Sequence, residues 1–402
     1  MTLNTMGRAA VASILSLSMG LGLTACSSDY TVAYLYMTTA KTNPGLITSY
    51  KVDYQSGTLV FLADSPVPSG GKNPVAIVSA VDDKSLYVIH RDDSSVVFFA
   101  IGTDGKLYPQ ATYNITGSFA TAAAIDPSGK FLYVTFTYQN NADGSQLYTP
   151  ANPGPGGITT FPINGNGSLG APLATTNVGR SPIGIIAKNN NVYVIEQDSA
   201  SAANLLGFSE NGAGQLTPLP GVTINPGNVP STGFPSGIAP GGIIEDSTAT
   251  HLYVTDQATN TVTAYSIAAN GIPSVVPNGT AITDALPMGM SFDLTGKFLY
   301  VANYTGGDLS GFTIGPNGEP ITSTVATSVQ TGSGPTCVSV IGAPNGTAAH
   351  AVYLYTSNAL SSTVTGLQLD PTDGSLRQIQ NTPFTASALP TCLVTVPAIP
   401  SQ

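Results

Sequence analysis

The chain has 402 residues, only 8% of them charged, and a formal net charge of −10. Its 12 basic side chains form no run, which excludes nucleic acid as a partner, because phosphate backbones are held by clustered Lys and Arg. With 44 glycines, 30 prolines and no tryptophan, the composition suits short strands joined by tight turns and excludes a helical bundle.

Residues 1–25 read as an export signal: Arg8 gives a positive start, and residues 9–23 are apolar or small and uncharged. So short an apolar run is a secretion signal and not a spanning helix. The run Leu23-Thr24-Ala25-Cys26 resembles a bacterial lipobox, which implies cleavage before Cys26 and lipidation of its thiol. Ordinary cleavage leaving a free N-terminal cysteine is the alternative. Ser27, in place of the aspartate tied to inner-membrane retention in such signals, implies an outer-membrane lipoprotein or a periplasmic location. Residues 26–29 then form a linker carrying the lipid anchor, the only contact expected with a membrane.

From residue 30 to 397 one phrase returns seven times. Its clearest copies are Asp126-Pro-Ser-Gly-Lys-Phe-Leu-Tyr-Val134 and Asp293-Leu-Thr-Gly-Lys-Phe-Leu-Tyr-Val301. The marker tyrosines are Tyr36, Tyr87, Tyr133, Tyr193, Tyr253, Tyr300 and Tyr353, at intervals of roughly fifty residues. Strand-only repeats of that length predict an all-β, seven-bladed β-propeller with four strands, A to D, in each blade. Strand A begins at a Pro-x-small step: Pro74-Val-Ala76, Pro182-Ile-Gly184, Pro235-Ser-Gly237, Pro287-Met-Gly289, Pro335-Thr-Cys337 and Pro390-Thr-Cys392, with Ala120-Thr-Ala122 in the third blade. Proline is tolerated at the first residue of a strand, and the small residue suits strands crowded around a channel. Strand B carries the marker tyrosine. Strand C has an apolar-x-x-aromatic-x-apolar pattern, as in Val96/Phe99/Ile101, and a Gly-x-Leu turn opens strand D at Gly57, Gly105, Gly167, Gly214 and Gly374, with weaker forms at Gly271 and Gly318.

The mature chain starts in a strand B, and residues 391–396 form an unpaired strand A. That last strand is expected to complete the first blade and close the ring, leaving residues 398–402 as a tail. Cys337 and Cys392 hold the same place in consecutive units. They either bridge, as an oxidising compartment permits, or fill the channel wall as two small residues, depending on their Cα separation.

Together the Pro-x-Gly step, the Asp-Pro-Ser-Gly-Lys-Phe-Leu-Tyr-Val phrase and the Gly-x-Leu turn resemble the seven-bladed lactonase family. That family includes bacterial 6-phosphogluconolactonases and fungal carboxymuconate cyclases and is similar to YVTN-type propeller repeats. The resemblance implies hydrolysis of a lactone by an exported, lipid-anchored protein. The family's Pro-His-x-His step and its Asp-Leu-Gly step are absent here, so no catalytic residue is carried over from it. A non-catalytic envelope scaffold for a glycan or protein is the other reading.

The repeat itself marks a site. Residues three after each marker tyrosine, namely Thr39, His90, Phe136, Glu196, Asp256, Asn303 and Thr356, vary while the core phrases do not, and are expected on one open face. Two long segments, 138–157 and 221–234, are expected on that face too. His251 and His350 fall on the opposite face. Opening a lactone needs a base for water and a donor or cation for the developing oxyanion. His90 and Glu196 are the candidate catalytic groups, with Arg91, Arg180, Asp198, Asp256 and Asn303 as candidate substrate-binding groups. No cofactor is required; Glu196, Asp256 and Asn303 together would suit calcium, which takes oxygen ligands. A monomer is expected.

Overall fold

The computed structural model describes residues 31–141, 143–199, 202–227, 229–342 and 352–398. Cys26 and His350 lie outside the described residues. Seven antiparallel sheets of four or five strands follow one another along the chain. From the channel outward, blade one is Pro390–Pro397, Thr31–Thr39, Leu46–Asp53 and Leu59–Phe61, and blade two is Pro74–Ser79, Ser85–His90, Ser95–Ile101 and Leu107–Asn114. The C-terminal strand pairs antiparallel with the first one, from Ala33 opposite Pro397 to Thr39 opposite Pro390. The ring therefore closes as the sequence implies.

No blade buries its own faces. Seven apolar clusters are found among the described residues, and each is shared by two successive blades. One joins Tyr36 and Ile47 of blade one to Ile77, Leu86 and Val97 of blade two. Another joins Leu299, Val301 and Phe312 of blade six to Tyr253 and Val262 of blade five. Each sheet is apolar on both faces and buries them against its two neighbours, the energetic logic of a repeat array.

A buried hydrogen bond accompanies six of the seven interfaces. The tyrosine of one blade donates to the glycine-turn carbonyl of the next: Tyr36 to Gly105, Tyr87 to Gly167, Tyr193 to Gly271 and Tyr300 to Gly374, all at 2.7 Å, and Tyr253 to Gly318 at 2.8 Å. These glycines all have positive φ, and at Gly57, Gly105 and Gly318 a Cβ would run into an aromatic ring of the preceding blade. In blade seven the donor is Tyr355, 2.6 Å from the Gly57 carbonyl oxygen, and not the marker Tyr353. Two tyrosines two residues apart share a strand face, so sequence spacing alone does not separate them. In blade four Glu210 ties the turn by accepting the Gly214 N–H at 2.6 Å, and the buried Tyr133 hydroxyl has no partner.

Around the channel the inner strands touch backbone to backbone. A Cβ on Gly242 would lie 2.5 Å from the Met288 carbonyl oxygen, and one on Gly289 would lie 2.5 Å from that of Thr336. Blade five thus enters at Pro240-Gly-Gly242, in strand Pro240–Glu245, and not at Pro235 as the sequence suggests. Phe234–Pro235 is instead a short outer strand of blade four, paired with Leu205 and Asn204. A Pro-x-Gly step occurs at both places, and only strand pairing distinguishes them. The same close contact brings Cys337 and Cys392 to a Cα separation of 5.2 Å, and they form a disulfide. It fastens the last blade to the closing strand.

Tyr300→Phe should destabilise the fold by about 1–3 kcal/mol, since it strands the buried Gly374 carbonyl, whereas Tyr133→Phe should be neutral or stabilising. Chemical denaturation of the two variants checks this. Equal losses would mean the hydroxyl bond contributes nothing specific.

Candidate active site at the channel mouth

The ring positions of strand B face the Pro-x-small step of strand A, which opens that strand in every blade but the third, where strand A starts earlier, at Gly117. Thr39 faces Pro390, His90 faces Pro74, Phe136 faces Ala120, Glu196 faces Pro182, Asp256 faces Pro240 and Asn303 faces Pro287. In blade seven the residue facing Pro335 is Asn358, two places beyond Thr356, because the tyrosine that matters there is Tyr355. The sequence expects this ring on an open face; all seven side chains are buried. The cause is the connection that arrives from the preceding blade. It folds over the strand end, and a Cβ on its glycine (Gly71, Gly179 or Gly237) would collide with His90, Glu196 or Asp256.

Two ring members, His90 and Asp256, fasten that connection. His90 Nε2 lies 2.9 Å from Ser69 Oγ, and burial pushes the imidazole down to about 4, with Asp93 opposing. Asp256 accepts backbone N–H bonds from Ile238 at 2.9 Å, Ala239 at 3.1 Å and Ala258 at 2.9 Å. Burial pushes its carboxyl up, but those donors outweigh it and hold the group below the usual range. Asn303 donates to Asp308 and Ser310, at 2.8 Å each. Arg91 sits on the surface, 3.0 Å from Asp92. His90, Asp256 and Asn303 thus each bond within their own corner of the ring.

Blade four differs. There Arg180, Glu196 and Asp198 come together with Asn204, which the sequence analysis does not single out. Asn204 Nδ2 donates to Glu196 Oε1 at 2.6 Å, to Asp198 Oδ2 at 3.2 Å and to the Ser231 carbonyl at 3.2 Å. Arg180 Nε donates to Asp198 Oδ1 at 3.2 Å, with the carboxylate almost wholly enclosed. Glu196 Oε2 is buried without a partner. Burial pushes the Glu196 carboxyl up to about 8, the Asn204 bond opposes, and nearby Asp198 pushes further in the same direction. Ser231 belongs to the 221–234 segment, so that insertion does reach the site. Asn204 starts the strand C pattern one residue before Leu205, a place where polar residues are unremarkable in sequence. Among the described residues no three His, Cys, Asp or Glu side chains gather as a cation site would require. Glu196, Asp256 and Asn303 belong to three successive blades.

The channel mouth has a second repeated feature. The residue just before the strand A residue that faces the ring takes positive φ in six blades: Asn73 (53°), Phe119 (62°), Ser181 (46°), Leu286 (60°), Gly334 (71°) and Leu389 (56°). Its carbonyl accepts the N–H following the ring residue, as from Arg91 to Asn73 at 3.1 Å, Tyr304 to Leu286 at 2.9 Å and Ala40 to Leu389 at 3.0 Å. The bulge is therefore fixed by pairing. Glycine, found in blade seven, satisfies it freely, whereas a bulky residue there costs roughly 1–3 kcal/mol.

The family described as "Lactonase, 7-bladed beta-propeller" matches residues 63–143 and 237–339. No curated protein is found to match. Among solved structures, a periplasmic gluconolactonase of Pseudomonas aeruginosa aligns over 91% of this chain and 99% of its own at 16% identity, with a TM-score of 0.68. A candidate 6-phosphogluconolactonase of Bacteroides fragilis aligns over 92% and 99% at 18% identity, with a TM-score of 0.66. AztD of Citrobacter koseri aligns over 92% and 100% at 12% identity, with a TM-score of 0.52. At such identities the likeness is one of fold.

The enclosed carboxyl has a consequence for stability. Glu196 keeps its proton to about pH 8 when folded but titrates near 4.5 otherwise, so the folded state holds the extra proton between these values. Stability must fall as pH rises through that window. Glu245, pushed up to about 7 by burial, acts in the same direction. His90 acts oppositely, lowering stability as pH drops from 6.5 to about 4. Melting temperature should therefore decline from about pH 6.5 to 8, and Glu196→Gln should flatten that decline. An unchanged slope in the variant would mean that Glu196 is ionised in the fold.

Proposed function

We propose that this seven-bladed β-propeller belongs to the lactonase family and is an exported hydrolase of lactones. The observation that carries the reading is the carboxyl pair of blade four: one amide bridges two acids whose surroundings differ. Such pairs divide into acid and base. Glu196, pushed up to about 8, is the proton donor, and Asp198, paired with Arg180, is the base.

In this scheme Asp198 takes a proton from water as the water oxygen bonds to the lactone carbonyl carbon. The ring C–O bond then breaks, and its oxygen leaves with the proton of Glu196. The product is the open hydroxy acid. Return of a proton from Asp198 to Glu196 resets the pair. Arg180 and Asn204 orient the two acids, while His90, Asp256 and Asn303 hold the loops that form the mouth, and Arg91 lies at its rim.

The full enclosure of Glu196 favours a second reading, a non-catalytic envelope scaffold in which the same cluster only fastens loops around a glycan or protein site. A panel of sugar and aromatic lactones separates the two. Glu196→Gln and Asp198→Asn should each lower kcat by roughly a hundredfold or more, the scale of general acid–base removal, with little loss of melting temperature. A protein inert on every lactone, or variants as active as the parent, would leave the scaffold as the better account.

Export is supported by the Cys337–Cys392 bridge, since such bonds persist in oxidising compartments. The Leu-Thr-Ala-Cys26 run supports attachment through lipid. Cys26→Ser should move the protein from the membrane to the soluble fraction, because the acylated thiol is lost. Fractionation indistinguishable from the parent would overturn the anchor.

A further inference from the structure

Resting on the lactonase reading, we infer that the channel mouth selects an uncharged lactone bearing an apolar ring or chain, and not a sugar lactone or its phosphate. The positive-φ positions carry the argument. Their backbone geometry is best met by glycine, yet blades three, six and one place Phe119, Leu286 and Leu389 there. Phe119 is 40% exposed and Leu389 45%, so neither repays its strain by burial in the core. Phe119 meets Tyr138 edge-on, with ring centroids 5.3 Å apart, which brings the long segment of blade three to the rim.

The other blades fit the pattern. Blade seven has Gly334, and there Leu360, 60% exposed, packs where a Cβ on that glycine would stand. In blade five the exposed Ile238 precedes Ala239 and strand A. Four blades thus expose an apolar group at the mouth, and blade six adds the half-buried Leu286. The two polar sectors are Asn73 in blade two and Ser181 in blade four. Ser181 follows Arg180 directly, so the carboxyl pair adjoins the single polar step between Phe119 and Ile238.

Electrostatics points the same way. Arg180 is bound to Asp198, and Arg91 is paired with Asp92 and followed by Asp93, so neither polar sector offers net positive charge. A phosphate or carboxylate approaching either polar sector would meet arginines already paired with carboxylates, in a chain of net negative charge. An aliphatic or aromatic lactone would cover the exposed side chains, leaving its ester group toward blade four.

Phe119→Gly/Leu389→Gly in the full-length protein tests this, since glycine relieves the strained backbone and the variant should keep or raise its melting temperature. The probes are dihydrocoumarin, δ-decalactone, glucono-δ-lactone and 6-phosphogluconolactone, followed by both turnover and direct binding. The parent should favour the first two, and the variant should raise KM for them at least tenfold while leaving kcat and any glucono-δ-lactone activity unchanged. A parent preferring glucono-δ-lactone or its phosphate would overturn the inference and leave the lactonase reading standing. If nothing is hydrolysed but dihydrocoumarin or δ-decalactone binds the parent and is lost from the variant, the apolar mouth stands and the lactonase reading falls. Binding equal in parent and variant would overturn the inference outright.

Discussion

The architecture depends on one contact, made at six of seven blade junctions: a tyrosine hydroxyl donating to a glycine carbonyl in the next blade. A sheet with two apolar faces has no fold of its own, and burial between neighbours is non-directional. The hydroxyl bond adds direction. It seats the aromatic ring against a turn that must be glycine, so each blade meets the next in a single register. Every blade but the third donates and every blade but the fourth accepts, so order passes along the chain until Tyr355 of the last blade reaches Gly57 of the first. The disulfide and the shared strand of blade one close the same circuit at the channel.

The junction without this bond is the one between blades three and four. There Glu210 takes the turn's N–H, the Tyr133 hydroxyl is left alone, and an outer cleft of about 450 Å³ opens between residues 174–177 and 215–218. Two long segments also adjoin blades three and four. Departures from the repeat thus collect in one sector, beside the Arg180, Glu196, Asp198 and Asn204 cluster. A repeat array tolerates such local change because each blade contacts only its neighbours. The remaining interfaces hold the circle while one sector specialises.

Much of this fold was legible because its constraints are local. Tyrosine spacing, the Pro-x-small step and the glycine turn each encode a contact that recurs with every blade. What misled was local repetition inside the repeat: Tyr353 and Tyr355 share a face, and Pro235 and Pro240 both open a Pro-x-Gly step. Only pairing across strands resolves either choice. The cysteines were readable as equivalent positions, but their bridging depends on the 5.2 Å approach of inner strands, which no spacing states. Asn204 went unmarked because its partners come from strand B and a distant insertion.

The candidate site shows how variation within a repeat divides into two kinds. His90, Glu196, Asp256 and Asn303 differ from blade to blade, which in sequence suggests a ligand-reading surface. Their burial gives another cause: each end of strand B is matched to a different incoming connection, so the residue varies with its loop. That variation is structural unless something remains unspent, and blade four leaves a shifted carboxyl with one oxygen unpartnered beside a second acid. The residues just before the strand A residues that face the ring vary differently. Their backbone is the same in six blades and is best met by glycine, so the exposed side chains of Phe119 and Leu389 answer no demand of the fold. A position where local geometry asks for one residue and the chain supplies a costlier, solvent-facing one is where selection for a ligand is most directly visible.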